Sequence, residues 1–203
     1  VVDGGDGTTG SSASGDDFEI DLSSYGTALT IDASALDFSN RDTDSDGDVD
    51  KTDTSHEKFT ISGTATAKAL TATGGEGYDT FVGSSDSAAG DTLKGNGGDD
   101  LFKMGTAGGA AFLTYLDTID GGAGTDTIEV ALDVSDVDFM NVTNAEVLTL
   151  AEGATSINVL GAYFNNSGIT KVNTDPDAVS TISAAGTTGN ITSTSTGTLA
   201  VTG

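Results

Sequence analysis

The sequence has no cysteine, so no disulfide braces the fold and no thiol nucleophile is available. It has one proline, Pro176, beside 29 glycines. That imbalance, without a strict triplet, is not collagen-like. Basic residues are scarce too: seven Lys and Arg stand against 32 Asp and Glu, a net charge of −25. Such a chain is repelled by nucleic acid and by anionic membrane surfaces, and neither is expected as a partner. No apolar run approaches the roughly 18 residues of a transmembrane helix, so membrane insertion is not expected. The single histidine, His56, lies in "HEKFT", which lacks the second histidine of a zinc-protease helix. With "GxSxG" missing as well, no catalytic residues are assigned and no enzyme is expected. The start, "VVDGGDG", lacks Met and any basic-then-apolar leader pattern. With "TLAVTG" at the other end, it reads as a segment of a longer chain.

What is present is short, alternating and rich in β-branched residues. Apolar residues make up 35% of the chain, which argues against simple disorder. Strand-like runs stand at "FEIDL" (18–22), "LTIDAS" (29–34), "KFTISGT" (58–64), "EVLTL" (146–150), "SINVL" (156–160), "ITKVN" (169–173), "VSTIS" (179–183), "NITST" (190–194) and "TLAV" (198–201). Gly, Asn, Asp or Ser bounds each of them. Their even spacing after residue 146 suits a β-solenoid or a β-sandwich. Helix is expected only over 106–116 and 134–141. No charged residue follows Asp177. Three segments emerge: 1–73, strands around an acidic insert; 74–130, Gly/Asp repeats; and 131–203, a Thr/Ser/Gly-rich run of strands.

The repeats carry the most information. "GGEGYDTFV" (74–82) has Asp sixth and an apolar residue eighth. "GNGGDDLFK" (95–103) and "GGAGTDTIE" (121–129) follow the same pattern. "DSAAGDTLK" (86–94) and "FLTYLDTID" (112–120) keep the Asp and the apolar residue but lack the leading glycines. Asp91 to Asp100 is nine residues, as is Asp117 to Asp126. Asp79 to Asp100 is 21, and Asp100 to Asp126 is 26. Two nonapeptides make one solenoid coil of about 18 residues, so these steps are one coil plus a surface insertion. Asp79, Asp100 and Asp126 should then stack on one edge, and Asp91 and Asp117 on the other. Phe81, Leu93, Phe102, Ile119 and Ile128 should form the inward spine.

Glycine permits positive φ, so a "GGxG" turn can curl and aim its carbonyls to one side. Stacked at about 4.8 Å, two such turns enclose a cation, and flexible sets of hard oxygens suit Ca²⁺. The expected ligands are Asp79, Asp91, Asp100, Asp117 and Asp126, with Gly74, Gly75, Gly77, Gly95, Gly98, Gly121, Gly122 and Gly124 shaping the turns. Two columns of motifs leave about three shared sites.

The motifs "GGEGYDTFV", "GNGGDDLFK" and "GGAGTDTIE" resemble the RTX calcium-binding nonapeptide, G-G-x-G-x-D-x-U-x. The resemblance covers 74 to 130. It implies export by a type I secretion system and folding outside the cell, where Ca²⁺ is abundant. With "LTIDASAL" before the repeats and "NAEVLTL" after them, the layout is similar to that of Gram-negative surface-layer proteins and RTX adhesins.

The insert "DTDSDGDVDKTD" (42–53) is a second candidate. Asp42, Asp44, Asp46, Asp50 and Asp53 fall at places 1, 3, 5, 9 and 12 of a calcium loop. Gly47 falls at the turn, and Asp48 offers a carbonyl at place 7. Its strand-like flanks make it resemble the loops of dockerins and thrombospondin type 3 repeats rather than a full EF-hand.

The expectation is thus an all-β chain, a calcium-bound parallel β-roll continuous with further β-solenoid or β-sandwich-like strands. Its expected role is structural: Ca²⁺-dependent folding and self-association in an extracellular assembly, a bacterial surface layer foremost. Cell-surface polysaccharide is a further candidate partner. The alternatives are the calcium-binding portion of a secreted lipase or protease, or an adhesin stalk.

Overall fold

Every alternating run named above contains a strand. The computed structural model describes residues 2–3, 18–21, 29–33, 59–62, 69–75, 77–84, 88–105, 113–131, 133–151, 156–158, 161–173, 180–183, 192–193 and 199–202. In chain order the strands are β1 (Val2–Asp3), β2 (Phe18–Asp21), β3 (Leu29–Asp32), β4 (Phe59–Ser62), β5 (Leu70–Thr73), β6 (Asp79–Val82), β7 (Thr92–Gly97), β8 (Leu101–Met104) and β9 (Thr118–Ala123). They continue as β10 (Thr127–Val130), β11 (Val134–Ser135), β12 (Val142–Thr143), β13 (Val147–Leu150), β14 (Ser156–Asn158), β15 (Lys171–Asn173), β16 (Ser180–Ser183), β17 (Thr192–Ser193) and β18 (Leu199–Thr202).

These strands alternate between sheets as the chain winds. The first sheet runs β1-β2-β4-β6-β8-β10-β13-β15-β17, the second β12-β9-β7-β5-β3, and the third β11-β14-β16-β18. Among the described strands only β1 pairs antiparallel, with β2. Parallel in-register stacking of sequence-distant strands makes the chain a β-solenoid, not a sandwich of hairpins. The fold is all-β, as expected, and the first sheet joins strands from β1 to β17.

Register places like on like. Phe81, Phe102, Ile128, Leu148 and Val172 face one another down the first sheet. Ala72, Leu93, Ile119 and Val142 do so down the second. All nine side chains are buried, including the full set expected from the eighth place of the repeats. The Phe81 and Phe102 rings stack at 5.0 Å and 8°. Each large side chain so buried contributes about 1.5–3 kcal/mol.

Helix forms sparingly. Over 134–141 the expectation is met only in part: Val134–Ser135 is strand, and one turn of 3₁₀ helix covers Asp136–Phe139. Ser135 N–H and Oγ–H both donate to Asp138 Oδ2 at 2.9 Å, which closes its start. Of 106–116, residues 106–112 lie outside the described part, and 113–116 form a turn rather than a helix. A helix not expected from the sequence, α1 (Ala162–Ser167), ends at Gly168 with φ +97°. It packs on the 3₁₀ helix and on β12, the last strand of the second sheet. Phe164 meets Phe139 edge-on at 5.1 Å. Among the described residues no helix is long and apolar enough to cross a membrane.

Candidate metal-binding column

The turns that lead from the second sheet into the first share one edge of the solenoid. They deliver Asp79, Asp100 and Asp126, exposed by only 2%, 1% and 0%, to the same level of successive coils. Asp79 N–H donates to Asp100 Oδ1 at 2.8 Å. Asp100 N–H donates to Asp126 Oδ1 at 2.8 Å. Asp126 N–H donates in turn to Glu146 Oε2 at 2.8 Å. Asp100, Asp126 and Glu146 therefore each give one oxygen to the backbone of the coil before them.

The other oxygen points at a glycine. A Cβ on Gly95 would collide with Asp100 Oδ2 and with the Gly121 carbonyl. A Cβ on Gly121 would collide with the Asn144 carbonyl and with Asp126 Oδ2. A Cβ on Gly74 would collide with Asp79 Oδ2 and sit 2.8 Å from the Gly95 carbonyl. In three successive coils, a carboxylate oxygen and the next coil's carbonyl thus crowd a spot that admits only hydrogen. Asp79 Oδ2 accepts from Gly75 N–H at 2.7 Å. Asp100 Oδ2 and Asp126 Oδ2 are buried with no hydrogen-bond partner among the described residues. Two facing acceptors without a donor repel, and a proton or a cation relieves them.

Burial pushes the Asp100 carboxyl up to about 8. The Asp79 N–H opposes that shift, while the charges of Asp79, Asp126 and Asp99 add to it. Asp126 is pushed up to about 6, again first by burial, against the Asp100 N–H and with Glu146, Asp99 and Asp120 adding. Both sites favour a bound positive charge.

The remaining expected glycines have distinct places. Gly98, Gly122 and Gly124 hold φ at +106°, +107° and +142°. Gly77 lies in the bend before Asp79. Gly75, besides bonding Asp79, accepts from Gly97 N–H at 3.1 Å. Gly74, Gly95 and Gly121, in contrast, are needed for space rather than for a left-handed backbone.

The opposite edge stacks Asp91 and Asp117 as the spacing predicts: Asp91 N–H donates to Asp117 Oδ1 at 2.7 Å. Its chemistry differs, however. Asp117 Oδ2 accepts from Thr114 N–H at 2.7 Å and from Thr114 Oγ–H at 3.1 Å. Asp91 Oδ1 accepts from Leu70 N–H and Ser84 Oγ–H, each at 2.8 Å, and its Oδ2 accepts from Ser84 N–H at 2.6 Å. Burial raises the Asp117 carboxyl, against N–H bonds from Asp91 and Thr114. Both oxygens of each carboxylate on this edge are already engaged by protein donors. Ser84 and Thr114 thus supply N–H and hydroxyl donors on this edge, where Asp100 and Asp126 on the first edge each keep an unpartnered oxygen.

Glu146, Asn144, Ser84 and Thr114 were not singled out from the sequence. Counting back from the "EVLTL" strand to the level of Asp126 would have found Glu146. Asp42, Asp44, Asp46, Asp48, Asp50 and Asp53 lie outside the described residues. Among those described, no three acidic or imidazole side chains gather into a metal cluster. The gaps on the first edge combine carboxylate with backbone carbonyl instead. That all-oxygen donor set, together with the two unpartnered Oδ2 atoms, fits Ca²⁺ better than a softer metal. Comparison with family models, with curated proteins and with solved structures finds no match to this chain.

Proposed function

We propose that the first edge binds Ca²⁺ between successive coils and that the chain is a non-catalytic building block of an extracellular assembly, a bacterial surface layer of RTX type. The observation that carries this reading is the buried, unpartnered Asp100 Oδ2, which crowds the same spot beside Gly95 as the Gly121 carbonyl of the next coil. Asp79, Asp100 and Asp126, with the Gly95 and Gly121 carbonyls, would hold the ions. Bound Ca²⁺ supplies the positive charge that this stack lacks. Without it, the carboxylates repel and the glycine-rich turns keep their conformational entropy. With it, adjacent coils lock together.

Self-association follows the same logic. A charge of −25 opposes close packing of copies until cations offset it. Tyr115, Leu116, Val137, Met140 and Tyr163 are exposed on turns and short helices outside the calcium edge, and offer apolar contact. Export by a type I system and assembly on the cell surface belong to this reading. Electron microscopy of the purified chain with and without Ca²⁺ tests it. A two-dimensional lattice that forms only with Ca²⁺ supports a layer. Isolated threads or monomers in both conditions contradict it.

A further inference from the structure

The calcium-type repeat ends at residue 129, but the carboxylate column does not. Register continues Gly74, Gly95 and Gly121 into Asn144, and Asp79, Asp100 and Asp126 into Glu146. The six-residue turn 121–126 is replaced by three residues, "NAE". Asn144 adopts φ +52°, a left-handed conformation that Asn tolerates, and its Nδ2 donates to Asp120 Oδ1 at 2.7 Å. Ala145 N–H is tied to the Ser167 carbonyl at 3.0 Å. Glu146 reaches the Asp126 N–H at 2.8 Å, the bond that Asp126 itself makes to Asp100 one coil earlier. Between these rungs lie the unpartnered, fully buried Asp126 Oδ2 and the Asn144 carbonyl, both against Gly121.

We infer that Asn144 and Glu146 close the column with one more divalent-cation site, beyond the last nonapeptide, in which Asp126 Oδ2 and the Asn144 carbonyl are ligands and Glu146 supplies the outer carboxylate. The inference rests on the proposed calcium reading and extends it to a turn that carries no glycine. The extra methylene of Glu suits it to a rung whose turn is three residues shorter. A hard cation such as Ca²⁺ is the occupant that this all-oxygen set favours.

Calorimetric titration of the chain with CaCl₂ tests it, with Glu146→Gln as the variant. Gln keeps a carbonyl oxygen for the Asp126 N–H, but removes the charge and replaces the other oxygen with an NH₂ that does not ligate a cation. The expected result is one ion fewer per chain, or one site weakened by about 10- to 100-fold, with the circular dichroism of the loaded protein unchanged. Stoichiometry and affinities equal to those of the parent would overturn the site and leave the calcium reading intact. If the parent itself takes up no Ca²⁺, both fall together. If the variant does not fold, the parent decides: amide resonances of 144–146 that move on CaCl₂ addition support the site, and stationary ones overturn it.

Discussion

Asp100 stands between two like-charged neighbours, and its position makes a sharp prediction. One of its oxygens serves the Asp79 N–H and the other faces the Gly121 carbonyl, so it borders the gaps on both sides. Asp100→Asn should weaken two calcium sites together in a titration, whereas Asp91→Asn should leave the calcium stoichiometry unaltered. Acidity gives a second prediction. Asp100 at about 8 and Asp126 at about 6 both exceed the ordinary carboxyl value of 3.8. Between those limits the folded, metal-free chain holds more protons than the unfolded chain. Its stability should therefore be greatest near the lower limit and fall as pH rises toward about 8, at up to about 1.4 kcal/mol per pH unit for each group. Urea unfolding in chelator at several pH values reads this slope. Saturating Ca²⁺, which requires the ionised carboxylates, should abolish it. A flat profile in chelator would contradict the electrostatics of the column.

The strands were legible because alternation and turn residues are local signals, and the five aspartates because a fixed coil length turns spacing into register. The rest depends on contacts between coils. Helix α1 begins where Asp136 Oδ1 accepts from the N–H groups of Gly161 and Phe164 at 2.7 and 2.9 Å. That cap lies 25 residues upstream of Gly161, and no local pattern reveals it. The turn at 113–116 carries apolar residues at helical spacing, but Thr114 and Asp117 tie it shut. Likewise, nothing in "NAEVLTL" marks Glu146 until Asp126 is set above it. Two element-level outcomes follow. Asp117→Ala removes acceptors for the Asp91 and Thr114 N–H groups and should cost about 1–3 kcal/mol, equally with Ca²⁺ and with chelator, in thermal unfolding. Phe102→Ala removes one ring of the Phe81–Phe102 stack and should cost about 3–5 kcal/mol in the same assay, in either condition.

Across the whole molecule, each coil touches chiefly the coils beside it, so stability is shared along a line rather than around a centre. Metal bound between rungs would add to the nearest-neighbour terms, and chelator should loosen the repeat region before the strands beyond it. Sedimentation velocity should show larger species with Ca²⁺ than without, because neutralised columns lower the repulsion of a −25 chain. The most direct test of the central claim is a crystal grown in Ca²⁺ and measured for anomalous scattering. Peaks between Asp79 and Asp100 and between Asp100 and Asp126, beside the glycine carbonyls, are the predicted result. A map at saturating Ca²⁺ with no peak beside either unpartnered carboxylate oxygen would contradict it.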